Sequence, residues 1–125
     1  MKKRTGPVLV VDDDDAVRHS LKFALELEGL EVRLYEDGAE LLGDAALPPT
    51  GCLVLDYWMP GMDGLELFGR LRDRAVTLPA ILITARPTND LRRRASRVGF
   101  RDVVEKPFED GALFEGIRGA LAAFA

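Results

Sequence analysis

Val8-Leu9-Val10-Val11, Cys52-Leu53-Val54-Leu55 and Pro79-Ala80-Ile81-Leu82-Ile83 are short apolar runs rich in β-branched residues and leucine. A strand with one wet face alternates polar and apolar residues, whereas a short unbroken apolar run suits a strand covered on both faces. Between the runs the spacing becomes helical. Val17, Leu21, Ala24 and Leu25 recur on one face from Ala16 onward, and Gly29 is a stop signal. Asp14 and Asp15 then fall at a helix N-terminus, where a carboxylate caps and complements the dipole. Glu31 to Tyr35 alternates like a half-exposed edge strand, and Asp37 with Glu40 starts a short helix running to Leu42. Residues 45–51, with Pro48-Pro49, form a loop. Asp63 with Glu66 starts a third helix that ends near Arg74, and a fourth is expected from Thr88 to Val98, before Gly99. Val103-Val104 is a short fifth strand, and Leu113, Ile117, Ala120, Leu121 and Phe124 form the stripe of a last helix. Strand and helix alternate throughout with short connections, which predicts one α/β domain: a doubly wound five-stranded parallel sheet with five helices on its two faces.

The ends of the strands carry the chemistry. The first runs into Asp12 and Asp13, the central one ends at Asp56, the fourth at Thr84, and the fifth leads within three residues to Lys106. In an open parallel sheet, ligands bind outside the carboxyl ends of the strands, so these side chains are expected at one edge. Carboxylates brought together repel each other unless a cation lies among them. The chain has one Cys and one His, which excludes a soft-metal site. A hard divalent ion with oxygen ligands fits, and magnesium takes one or two carboxylates plus waters and phosphate oxygens. A carboxylate beside such an ion can attack a phosphoryl group and become an aspartyl phosphate. Lys106 can pair with the phosphoryl oxygens across the gap, and the Thr84 hydroxyl can donate to another.

Val-Val-Asp-Asp at 10–13, Leu-Asp-x-x-Met-Pro-x-Met-Asp-Gly at 55–64, Thr-Ala at 84–85 and Lys-Pro-Phe at 106–108 occur in this order. Together they resemble the receiver domain of bacterial two-component response regulators. The FixJ-like branch, in which Glu-Lys-Pro-Phe-Glu-Asp recurs, is the nearest in flavour. The resemblance places a receiver domain over residues 7–124 after an N-terminal tail, 1–6, and implies the flavodoxin-like strand order 2-1-3-4-5. It makes Asp56 the phosphoryl acceptor, with Thr84 and Lys106 contacting the phosphoryl oxygens. Asp13, Asp56 and the Trp58 carbonyl would hold Mg2+, with Asp12 acting mainly through water, and the Lys106–Pro107 bond would be cis. The implied function is a switch: a sensor histidine kinase phosphorylates Asp56, and the domain changes its partner-binding or dimerisation surface. That surface is the face of the fourth helix, fifth strand and last helix. The resemblance makes the protein no enzyme beyond catalysing its own phosphorylation and dephosphorylation. It also allows a homodimer and a DNA-binding effector domain in a longer native chain.

Two rival functions share these residues. A Mg2+-dependent aspartyl-phosphate phosphatase wants a second acid two residues after the nucleophile, where this chain has Trp58. A pseudo-receiver binding module independent of phosphorylation is favoured only by Val103, which stands where receivers usually carry the aromatic ring that reports phosphorylation. A stiff valine has no ring to swing, so activation is expected through Thr84 pulling its loop or through Phe100. Arg86, two residues after Thr84, is expected to alter the lifetime of the phosphorylated state. A flavin site is disfavoured because the first turn is acidic where a phosphate loop needs small residues and amides.

With 47% hydrophobic and 30% charged residues and a net charge of −4, the composition gives no reason to expect this domain itself to bind nucleic acid. Residues 1–6 are basic, but the apolar run that follows is too short for a signal peptide or membrane span, so a cytoplasmic protein is expected. Cys52 reads as a small buried residue, Trp58 as partly exposed and His19 as solvated. Arg92, Arg93, Arg94 and Arg97 make the fourth helix basic, either as a solvated face or as a docking surface.

Overall fold

The computed structural model describes residues 6–108 and 111–124. The basic segment 1–5 and Glu109-Asp110 lie outside these residues. The chain runs β1 (Val8–Val11), α1 (Asp15–Leu27), β2 (Val32–Tyr35), α2 (Gly38–Leu42), β3 (Cys52–Asp56), α3 (Gly64–Asp73), β4 (Ala80–Thr84), α4 (Asn89–Val98), β5 (Asp102–Glu105) and α5 (Ala112–Ala122). The strands form one sheet in the order β2-β1-β3-β4-β5, and every pairing is parallel.

The apolar runs explain the two-sided core. Side chains alternate across a strand, so Leu9, Val11, Leu53, Leu55 and Leu82 pack on Leu41, Leu67, Phe68, Leu71, Leu91 and Ala95 of α2, α3 and α4. Val8, Val10, Cys52, Val54, Ile81 and Ile83 point the other way, onto Leu21 and Leu25 of α1 and Leu113, Ile117, Ala120 and Leu121 of α5. Polar residues set the helix starts: Asp14, Asp37, Asp63 and Thr88 accept hydrogen bonds from the N–H groups of Val17, Glu40, Glu66 and Leu91. Gly99 ends α4 in the left-handed region at φ 115°, where a side chain would be strained.

Three elements differ from the sequence reading. The second strand is an edge strand with Arg33 and Leu34 partly exposed, but Tyr35, on the face read as wet, is buried. Tyr35 tolerates this because its hydroxyl donates to Asp44 Oδ2 at 2.6 Å. The fifth strand is longer than Val103-Val104, since backbone pairing with β4 extends from Asp102 to Glu105. Phe124 lies past the end of α5 and is more than a third exposed, unlike the rest of its stripe.

The β3–α3 turn is held by close backbone packing. Gly64 N–H donates to the Tyr57 carbonyl at 3.0 Å, and a Cβ at Gly64 would meet the Asp56 carbonyl oxygen at 2.7 Å and Leu82 Cδ1 at 2.8 Å. Gly69, on the outer face of α3, has nothing within 4 Å of such a Cβ. Urea unfolding is therefore expected to separate two identical changes. Gly64→Ala loses roughly 1–3 kcal/mol through overpacking, while Gly69→Ala gains about 0.5–1 kcal/mol from helix propensity.

Candidate functional site

Parallel pairing brings the strand ends together. Val11 pairs with Leu55 and Asp56 with Ile83, and Thr84 pairs with Glu105. Asp12, Asp56, Thr84 and Lys106 therefore emerge at the same edge, and they line a cavity of about 470 Å³ with Asp13, Trp58 and Arg86. One carboxylate oxygen from each of Asp12, Asp13 and Asp56 lies within 4.8 Å of the other two. Asp12 and Asp56 form the buried floor and Asp13 is exposed above them.

Asp12 is fixed at four points. Its N–H donates to the Tyr35 carbonyl at 3.2 Å. Oδ1 accepts from the Asp14 N–H at 2.9 Å, Oδ2 from Lys106 Nζ at 2.9 Å, and the carbonyl from Arg18 Nη1 at 2.7 Å. Lys106 Nζ also lies 3.2 Å from Asp56 Oδ1. The ammonium thus touches both carboxylates directly, rather than facing them across a phosphoryl-sized gap as the sequence suggested. The reason is electrostatic: buried carboxylates draw in a nearby cation that can reach them. The Lys106–Pro107 peptide is cis. Thr84 is buried at the cavity wall, its Oγ1 accepting from the Arg86 N–H at 3.3 Å.

Sequence reasoning passed over Arg18, a buried arginine on α1 that shares its inward face with Leu21 and Leu25. A charged residue at an apolar position of a helical stripe was the available signal. Phe100, named as a candidate for the switch, is buried in the core and stacks on Phe68 with ring centroids 4.3 Å apart. Trp58 is 78% exposed at the cavity mouth and stacks on Tyr57. His19 is exposed. The thiol of Cys52 is buried and pushed up to about 12 by that burial, which leaves it inert at neutral pH. Among the described residues, no helix is long and apolar enough to cross a membrane.

A sheet of this order with its acids gathered at the carboxyl edge defines the receiver class of α/β domain. The response regulator receiver domain family matches residues 8–118, and the chain belongs to that family. It is 42% identical over 120 residues to the transcriptional regulatory protein FixJ of Azorhizobium caulinodans, covering 95% of this chain and 56% of that protein. The chain thus spans little more than half the length of that relative. Among solved structures, the crystal structure of FixJ-N superposes with a TM-score of 0.87 at 34% identity, covering 100% of this chain and 98% of the other. The response regulator protein TrrA from Thermotoga maritima, in complex with Mg(2+)-BeF, matches with a TM-score of 0.78 at 32% identity, covering 91% and 97%.

The electrostatics of the cluster follow from burial and like charge. Asp56 is pushed up from 3.8 to about 6, first by burial and then by the charge of Asp12, with Lys106 opposing both. For Lys106, burial works against the ammonium. The Asp12 hydrogen bond and the charges of Asp56 and Asp12 outweigh that and hold it above its ordinary value. A carboxyl whose folded value exceeds its unfolded one favours folding when protonated. Its contribution is fully present below about 3.8 and lost as the pH rises through about 6. In metal-free buffer, Asp56→Asn is expected to be more stable than wild type by roughly 1–3 kcal/mol at pH 7.5. The difference is expected to shrink as the pH falls toward 4, as read by urea unfolding across that range.

Proposed function

We propose that this domain is a phosphorylation-controlled switch in which Asp56 accepts a phosphoryl group from a sensor histidine kinase. The observation that carries the reading is the convergence of three carboxylate oxygens within 4.8 Å, with the Lys106 ammonium 3.2 Å from Asp56. The donor set is oxygen alone, which suits a hard divalent cation and fits Mg2+. Asp13 and Asp56 would hold it with the Trp58 carbonyl, and Asp12, whose oxygens already serve Asp14 and Lys106, would act mainly through water. Bound there, Mg2+ supplies charge neutralisation for the phosphoryl oxygens.

In the step itself, an Asp56 oxygen attacks phosphorus, the bond from phosphorus to the donor breaks, and the donor leaves with that electron pair. Lys106 exchanges its contact with Asp56 for one with a phosphoryl oxygen, and Thr84 donates its hydroxyl proton to another. Of the two candidates for coupling the site to the surface, Phe100 is packed on Phe68. Thr84 lines the cavity, and movement of its loop is therefore the proposed route. The response is a change in affinity at the face of α4, β5 and α5, for a second copy of the domain or for another partner. Likeness to a transcriptional regulatory protein at 56% of its length supports a transcriptional output through a DNA-binding module outside these residues. The residue two after Asp56 is Trp58, not an acid that would serve a leaving group, which argues against turnover of external phosphomonoesters.

Treatment with acetyl phosphate and Mg2+, followed on a phosphate-affinity gel, is expected to shift wild type and leave Asp56→Asn unshifted. Lys106→Ala is expected to be phosphorylated about 10²-fold more slowly. A shift that survives in Asp56→Asn would contradict the assignment. Arg86 reaches the cavity, and Arg86→Ala is expected to change the decay rate of the phosphorylated protein, measured on the same gel. An unchanged rate would remove Arg86 from the account.

A further inference from the structure

Arg18 occupies a position where burial alone would call for a leucine. Its side chain is 9% exposed, and its guanidinium is spent on the turn that carries the acids. Nη1 donates to the Asp12 carbonyl at 2.7 Å, and Nη2 donates to Asp15 Oδ1 at 2.7 Å with Glu36 Oε2 at 4.0 Å. The Asp12 carbonyl belongs to the peptide that links Asp12 to Asp13, so the bond from Arg18 fixes the plane from which Asp13 projects. The four consecutive aspartates thereby divide their work. Asp12 and Asp13 join the cluster with Asp56, Asp14 caps α1, and Asp15 anchors the arginine.

We infer that Arg18 is a positioning residue for the cation site: anchored by Asp15, it orients the Asp12–Asp13 peptide and so sets the affinity for a divalent ion. This deepens the proposed switch and depends on that reading. The geometry is rigid because a planar guanidinium satisfies two acceptors at fixed angles from one side chain. Without it, a buried carbonyl loses its donor and the turn gains a free peptide plane. Partners that orient ligand-bearing groups typically change metal affinity 10–100-fold when removed.

The test is a Mg2+ titration of the whole chain, read by Trp58 fluorescence and by calorimetry, with urea unfolding run in parallel. Arg18→Met is expected to weaken Mg2+ binding about 10-fold or more. Arg18→Lys, which still offers a donor to the Asp12 carbonyl but lacks the planar fork, is expected to recover only part of that loss. A purely structural role would lower the urea midpoint and leave the Mg2+ Kd at the wild-type value, and that result in folded Arg18→Met overturns the inference. If Arg18→Met fails to fold, Arg18→Gln, whose amide is too short to span both acceptors, is read the same way. A wild-type protein that binds no Mg2+ removes the functional reading and this inference together. Wild-type binding with an unchanged Kd in the variants removes only the role of Arg18.

Discussion

The ammonium of Lys106, held between the carboxylates of Asp12 and Asp56, is the interaction on which the architecture of the site turns. Asp12 is completely buried and Asp56 nearly so. An isolated carboxylate in such a place costs several kcal/mol. Two of them side by side are tolerable only with a cation in contact. Lys106 touches two of the three acids, and the Asp56 carboxyl is still raised, first by its burial and then by the neighbouring Asp12 charge, because the lysine offsets these only in part. The fold thus presents a nucleophile whose surroundings are completed by a divalent ion and an incoming phosphoryl group.

The parallel sheet makes this crowding possible. Because every strand points the same way, one residue past the end of each is a neighbour of the next, and distant parts of the sequence meet without long loops. Close packing protects the arrangement: Gly64 lets the β3–α3 turn lie against the Asp56 backbone, and the rings of Phe68 and Phe100 fill the core behind it. The guanidinium of Arg72 lies over the Phe68 ring at 4.1 Å. The buried part of the site is accordingly built at strand ends, while Asp13, Trp58 and Arg86 occupy exposed loop positions around it.

Much of this was legible before any coordinates. Val8–Val11 and Cys52–Leu55 are unbroken apolar runs, and a run of that kind ending in an acid identifies both an interior strand and its functional end. Asp14, Asp37, Asp63 and Thr88 announced helices because capping is a local effect. What escaped was long-range. Buried Tyr35 is paired with Asp44 beyond α2, whereas its alternating pattern suggested a wet face. Direct contact of Lys106 with Asp12 spans 94 residues of sequence, so spacing could place the two at one edge but not in a bond. Arg18 looked like one more charge on an amphipathic helix, since its acceptor is a backbone carbonyl that no residue pattern encodes. Thr84 carried no signal alone and gained meaning only from its neighbours.

The crowding itself can be measured at one atom group. A carbon-detected NMR titration of the Asp56 side-chain carboxyl, without and with saturating Mg2+, tests the claim most directly. The account predicts a midpoint of about 6 in metal-free protein and a marked fall when Mg2+ is present, because an added cation favours the charged form. A midpoint at the ordinary carboxylate value, indifferent to Mg2+, would contradict it.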